Sequence, residues 1–201
     1  MKATRLLLVA ALLLAVLPAT AGEGEDQVPQ GMTPEMMEAW AKVSTPNEHH
    51  AHLAKMAGTW KVNGKFWMEP GADVMETEGK AQNEMILGGR FLQSEFTGAF
   101  MGQPFAGMGL DGYDNLLEKH VGMWVDSAGT MMMQFVGECS EAGKVLTTKS
   151  EYLDPMSGEM ATSKGKITLV DDDKFTYESW SQGPDGEFFK QMELTYTREQ
   201  S

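Results

Sequence analysis

Residues 45–67 read TPNEHHAHLAKMAGTWKVNGKFW, and the residue pattern changes character inside them. Thr45, Pro46 and Glu48 place a Thr cap, a proline at the first helical position and a Glu at the third, the arrangement of a capping box. The spacing predicts a helix from there to Ala57, with Leu53, Met56 and Ala57 turned inward and Gly58 as its stop. From Thr59 the chain becomes rich in aromatic and β-branched residues, so a strand should begin there.

Downstream the same texture repeats. Turn signals recur about every 10–16 residues, among them Glu69-Pro70-Gly71, Gly88-Gly89, Asp114-Asn115 and Gly183-Pro184-Asp185-Gly186. Ten strands are predicted, over 59–69, 74–87, 90–100, 104–112, 118–126, 130–138, 144–152, 159–170, 173–182 and 187–198. The connections are of hairpin length, so neighbouring strands should run antiparallel, and no helical stretch long enough for a parallel crossover interrupts them. A meander of this size has to manage its edges. Closure into an up-and-down barrel removes them, and a two-sheet sandwich is the alternative. Alternation is visible but imperfect. In the last strand Phe188, Lys190, Met192, Leu194 and Tyr196 fall on one face and Phe189, Gln191, Glu193, Thr195 and Thr197 on the other, so neither face is cleanly apolar.

Working upstream, Pro34–Val43 has helix formers with Met36, Met37 and Trp40 spaced for one face. Residues 22–33 form an acidic, Gly-containing segment expected to be a flexible linker. Before it, Lys2 and Arg5 precede an apolar run of twelve residues, Leu6 to Leu17, then Pro18 and Ala19-Thr20-Ala21. This is the three-part pattern of a secretory signal peptide. As a helix the run spans about 18 Å, short of the roughly 30 Å of a bilayer core. The expected organisation is a signal peptide over 1–21, the linker over 22–33, a helical segment over 34–57 and a β-barrel over 58–201. An exported protein, periplasmic or secreted, follows, with no stable membrane insertion once the signal is removed.

The composition agrees with one ordinary globular unit: 201 residues, 42% apolar and 22% charged. Sixteen basic against 29 acidic residues give a net charge of −13, which disfavours contact with nucleic-acid phosphates. The single cysteine, Cys139, can form neither an internal disulfide nor a cysteine zinc site.

Gly58-Thr59-Trp60, directly after a short helix and opening an antiparallel meander, resembles the G-x-W start of lipocalins and related calycin barrels. That resemblance implies that Trp60 plugs one end of the barrel and that a basic residue of the last strand, Arg198, lies across its ring. The stretch from about 46 to 199 also looks like a bacterial family catalogued as a domain of unknown function. It shares His49 with Leu53, Gly58-x-Trp60, Gly89-Arg90-Phe91-Leu92, Gly107 through Gly112-Tyr113-Asp114, Trp124-x-Asp126 and Met192-Glu193-x-x-Tyr196-x-Arg198. The resemblance implies an exported barrel and carries no activity with it.

Motifs for chemistry are few. No G-x-S-x-G elbow and no H-E-x-x-H is present, so no catalytic residue is assigned. Gly137 to Lys144 spaces its glycines wrongly for a phosphate loop and reads as a hairpin turn. Asp171-Asp172-Asp173 is too compact for a calcium loop and reads as a solvated turn. His49 and His52 lie three apart on the predicted helix and could face one metal, while His120 could be an axial haem ligand if it faces the interior. The 17 methionines raise copper(I) as a possible ligand, but serve equally as core and cavity lining. Tyr113, Trp124, Asp126 and Glu193 are the candidates for lining a cavity; Asp126 and Glu193 could do acid–base work there or form a structural network. These readings converge on a barrel that holds a small, partly apolar molecule, with a carboxylate enzyme, a haem or copper protein and a filled interaction module as rivals.

Overall fold

A computed structural model describes residues 31–200 apart from positions 141, 156 and 184. The expected signal peptide and most of the linker lie outside the described residues. Two helices come first, α1 (Pro34–Ser44) and α2 (Glu48–Ala54). Ten strands follow: β1 (Gly58–Phe66), β2 (Met75–Ile86), β3 (Phe91–Phe100), β4 (Gln103–Asp114), β5 (Lys119–Asp126), β6 (Met133–Cys139), β7 (Val145–Leu153), β8 (Met160–Asp171), β9 (Lys174–Gln182) and β10 (Phe188–Arg198). Each pairs antiparallel with its sequence neighbour, and β1 pairs with β10, so the sheet closes into an up-and-down barrel. Closure leaves no edge strand, and ten strands make a wider tube than eight.

The capping box differs from the one expected. Thr45 is used as the C-cap of α1, its N–H donating to the Ala41 carbonyl. The next helix therefore starts at Asn47, whose side chain accepts from the His49 N–H, while the Asn47 N–H donates to Nδ1 of His50. Asn is among the best N-caps, and His50 takes the reciprocal role in place of Glu48. Helix α1 begins behind the Thr33 cap, but none of its residues is buried, and Met36 and Trp40 stay exposed. The predicted sixth strand also begins late, at Met133, which leaves Met131 and Met132 exposed in the preceding loop.

The register sorts every strand residue onto one of two faces. Trp60, Val62 and Ala81 point inward, and alternation with the pairing carries that assignment around the barrel. In β10 a bulge between Lys190 and Met192 inserts Gln191. Met192, Leu194, Tyr196 and Arg198 therefore share the inner face, whereas Lys190 and Phe188 lie outside. The bulge explains why neither face of that strand looked cleanly apolar.

The core sits at one end. Helix α2 lies over the barrel mouth beside Trp60, and Leu53, Met56, Trp60, Val62, Ala81, Leu92 and Phe175 form one buried cluster. Trp60 donates its indole N–H to the Met56 carbonyl (3.0 Å), an acceptor shared with the Asn83 amide (2.9 Å). Phe175 meets Trp60 edge-on and stacks on Tyr196. Arg198 lies over the Trp60 ring, its Cζ 4.1 Å from the centroid. The same guanidinium donates to the carbonyls of Asp172, Ala57 and Lys55 and faces the Asp173 carboxylate at 3.4 Å. Gly58 is required here: its φ is +129°, and a Cβ would stand 2.3 Å from Nη1 of Arg198.

Candidate functional site

The lid is held from two hairpin turns. Arg90, after β2, donates to the Ser44 carbonyl at 2.7 Å, and Asn115, after β4, donates to the carbonyls of Lys42 and Thr45. Beneath α2 lies an aromatic cage. His49 stacks on Tyr113 with centroids 3.9 Å apart, and His120 meets both rings edge-on at 5.4 and 5.1 Å. His120 is 3% exposed, and neither of its nitrogens has a hydrogen-bond partner among the described residues. Burial, reinforced by the neighbouring histidines, pushes its pKa down to about 4, so it is held neutral. Burial also lowers His52 and His50 and raises Tyr113. His52 packs against Gly143 in the β6–β7 turn, and its Nδ1 is 3.9 Å from the Cys139 sulfur. The gap left between lid and wall is only about 20 Å³, room for about one water. His49 and His52 are within 5.9 Å, yet among the described residues no three His, Cys, Asp or Glu side chains converge as a metal would require.

The other half of the barrel is different. Phe66, Met75, Phe96, Phe100, Phe105, Trp124, Met133, Phe135, Tyr152 and Met192 all face inward by register, and every one keeps accessible surface. An inward-facing side chain retains surface only where space lies in front of it, so this half is partly hollow, with Phe66, Phe100, Phe105 and Phe96 meeting ring to ring along the wall and Phe96 also touching the core cluster. Trp124 illustrates how the wall was shaped. Its indole lies flat on β4, where a Cβ at Gly107 would stand 2.2 Å from the ring. Its N–H donates to Asp126 Oδ2 at 2.9 Å, and the other oxygen of Asp126 accepts from the Ala128 N–H. Asp126 thus stands at the open end, fully engaged in fixing the Trp124 ring.

Between hollow and core sits a polar belt. Asp111 on β4, Tyr177 on β9 and Tyr196 on β10 project from different walls toward one another, with Ser150, Ser163, Ser179 and Ser181 around the tube. Among the described residues Asp111 has neither a hydrogen bond nor an ion pair, although its carboxyl still has accessible surface. It lines the inner space rather than the outside. Burial raises its pKa to about 7 and that of Tyr177 to about 12, the latter with help from Asp111 and opposed by the Ser179 hydroxyl. Burial likewise holds Tyr196 well above the ordinary phenol value.

Of the four expected cavity residues, Trp124 and Asp126 line the open half, and Tyr113 faces inward but is packed under the lid. Glu193 belongs to the outer wall. It pairs with Lys190 at 3.0 Å, next to Glu178 and Lys166. Asp126 and Glu193 therefore lie on opposite sides of the wall and cannot act on one substrate. Asp111 was not anticipated. It lies inside the predicted strand 104–112, and stepping by two from Phe105 through Gly107 and Gly109 puts Asp111 on the inner face.

Charge is segregated. Every Lys and Glu in the ten strands faces outward, so the inner face carries only the acids Asp111 and Asp126, and one cation, Arg198, spent on the floor. An open depression on the outer wall runs past Lys119, Lys149 and Lys164. These cations are engaged by Glu138, Glu151 and the Phe188 ring respectively.

The fold is shared with solved structures of low sequence identity. Rv2717c from M. tuberculosis is 14% identical, covering 78% of this chain and all of its own, with a TM-score of 0.59. The S-type phycobiliprotein lyase CPES from Guillardia theta is 12% identical over 78% of this chain and 99% of its own, with a TM-score of 0.53. No curated protein matches the chain in sequence. The model of one family does, across residues 45–198, which span α2, the whole barrel and the Trp60–Arg198 closure: the chain belongs to the family described as "Protein of unknown function (DUF1579)".

Proposed function

We propose that this protein is an exported barrel that binds a small, partly apolar molecule in its interior. The observation that carries the reading is the contrast along the tube. The lidded end leaves a gap of only about 20 Å³, whereas the inward aromatic and methionine side chains of the other half keep accessible surface. Concave, mostly apolar interiors with a few convergent polar groups are the usual places for small ligands. Methionine and phenylalanine side chains suit an irregular body, and the belt around Asp111 supplies orientation. Export rests on the basic start, the apolar run and the Ala19-Thr20-Ala21 site.

The test is to express the full chain in an exporting host, purify the mature protein and compare native with denaturing mass spectrometry. The expected result is a chain starting at Gly22 with a reproducible additional mass that disappears on denaturation. A haem or metal mass would instead move the reading to His120 or the methionines. A bare protein mass, together with no uptake of the neutral fluorophore N-phenyl-1-naphthylamine or of neutral aromatic alcohols, would overturn interior binding. A chain that keeps residues 1–21 would overturn export.

A further inference from the structure

We propose that Asp111 is the anchor of the interior site and selects molecules that carry a protonated amine on an aromatic or hydrocarbon body. The inference rests on interior binding as proposed above and adds the chemistry of the ligand's polar end. Asp111 is enclosed by the barrel, turned into the inner space and without a partner among the described residues. A buried carboxyl left unpaired is costly, and an incoming ammonium group would supply the missing charge and donors. The surroundings argue against an acid as ligand. Among the described residues no inward-facing Lys or free Arg could neutralise a carboxylate, since Arg198 is committed to three backbone carbonyls and the Trp60 ring. The net charge of −13 attracts cations and repels anions over a longer range.

Depth sets the geometry. Asp111 lies just above the floor made by Trp60, Phe175 and Tyr196, so a ligand held there extends its body toward Trp124 and the phenylalanines. The titratable groups that face Asp111 are few. Tyr177 and Tyr196 stand across the tube, Tyr113 and His120 lie on its own side toward the lid, and His49 of α2 is stacked on Tyr113 rather than on Asp111. β3 contributes only Leu92 and Ser94. Between pH 6 and 8 His120 stays neutral and the tyrosines keep their protons, so Asp111 is the group in the belt whose charge changes.

The experiment uses three probes with one body and different ends: 4-phenylbutylamine, 4-phenylbutanol and 4-phenylbutanoate, titrated calorimetrically into the mature protein at pH 8 and pH 6. At pH 8 the amine should bind at least about tenfold tighter than the alcohol, with the acid weakest. The amine should weaken severalfold at pH 6, where it must displace a proton from Asp111, while the alcohol stays constant. Asp111→Asn should bring the amine down to the alcohol's affinity and leave the alcohol unchanged, which also shows that the cavity is intact. Equal binding of amine and alcohol, a preference for the acid, or an Asp111→Asn protein that keeps the amine preference would each overturn the anchor and leave interior binding standing. No binding of any probe by folded protein would overturn both. Should Asp111→Asn fail to fold, the ranking of the three probes and its pH dependence in the unmodified protein decide the matter.

Discussion

The two ends of this barrel are built from the same strands by the same alternation, yet one is solid and the other hollow. At the lidded end the inward residues are met by a second layer, α2, so that Trp60 and Val62 are each 1% exposed. At the open end Phe66, Phe100 and Trp124 are comparable in size but have no such layer above them and keep accessible surface. The difference teaches that filling a ten-strand tube takes more than large inward side chains. A closing element must bring its own apolar residues, and here Leu53 and Met56 do so.

The sharpest way to break this comparison is to remove one tryptophan from each end. Trp60→Ala deletes a sealed ring together with its bond to Met56 and its contact with Arg198, and should cost about 3–5 kcal/mol or prevent folding. Trp124→Ala merely enlarges a space that already exists and should cost about 1–2 kcal/mol. Urea unfolding of both variants measures the gap, and equal losses would show that the open half is packed after all.

Acid titration sharpens the comparison through two buried groups that pull in opposite directions. Unfolded histidine takes a proton near pH 6.5, but folded His120 resists until about 4. The unfolded state binds the extra proton in that window, so this residue makes stability fall as pH drops, by up to about 1.4 kcal/mol per unit. His50 and His52, also lowered, act in the same direction. Asp111 acts oppositely. It loses its proton near 3.8 when unfolded and near 7 when folded, so it makes stability fall as pH rises through that range. The two effects offset each other between about pH 4 and 6.5. Asp111→Asn should therefore steepen acid lability, and His120→Gln should reverse the slope. Stability curves measured from pH 4 to 7 check both, and parallel curves for the two variants would contradict the burial of either group.

A smaller loss is expected at the floor itself. Arg198→Lys keeps the charge but cannot reach three carbonyls in a fixed fork while covering the Trp60 ring. A loss of about 1–3 kcal/mol in urea unfolding is expected, with probe binding in the open half unchanged. Coupled losses in both would mean that the ends communicate.

How much of this was legible depends on the kind of signal. Glycine, proline and aspartate mark turns locally, so all ten strands could be placed to within a few residues, and Gly58-Thr59-Trp60 with Arg198 announced the floor. The faces were harder. Glu193 alternates regularly with the inward Met192 and Leu194 and so lies outside, while the inserted Gln191 turns only the residues before it, Phe188 to Lys190, onto the opposite faces. Asp111 was hidden because the predicted strand 104–112 does not by itself say which of its faces is interior, and only the pairing of β4 with β3 and β5 shows that Asp111 points inward. The hollow was not legible at all, because large aromatic residues in alternation describe a filled core equally well. The hydrogen bonds that fix the lid, from Arg90 and Asn115 to backbone carbonyls, also leave no pattern in composition.

The smallest expected effect tests the assignment of faces on which the comparison rests. Glu193→Gln removes one ion pair from the outer wall. Its partner Lys190 retains Glu178, and the Glu193 side chain is 37% exposed. Exposed pairs of this kind contribute little, so stability should change by no more than about 0.5 kcal/mol. More to the point, the affinities for 4-phenylbutylamine and 4-phenylbutanol should not move, because Glu193 never meets the interior. A severalfold change in either would mean that the face of β10 beyond the bulge is reversed. Met192 and Leu194 would then leave the inner wall, and the hollow would have a different lining from the one its register describes.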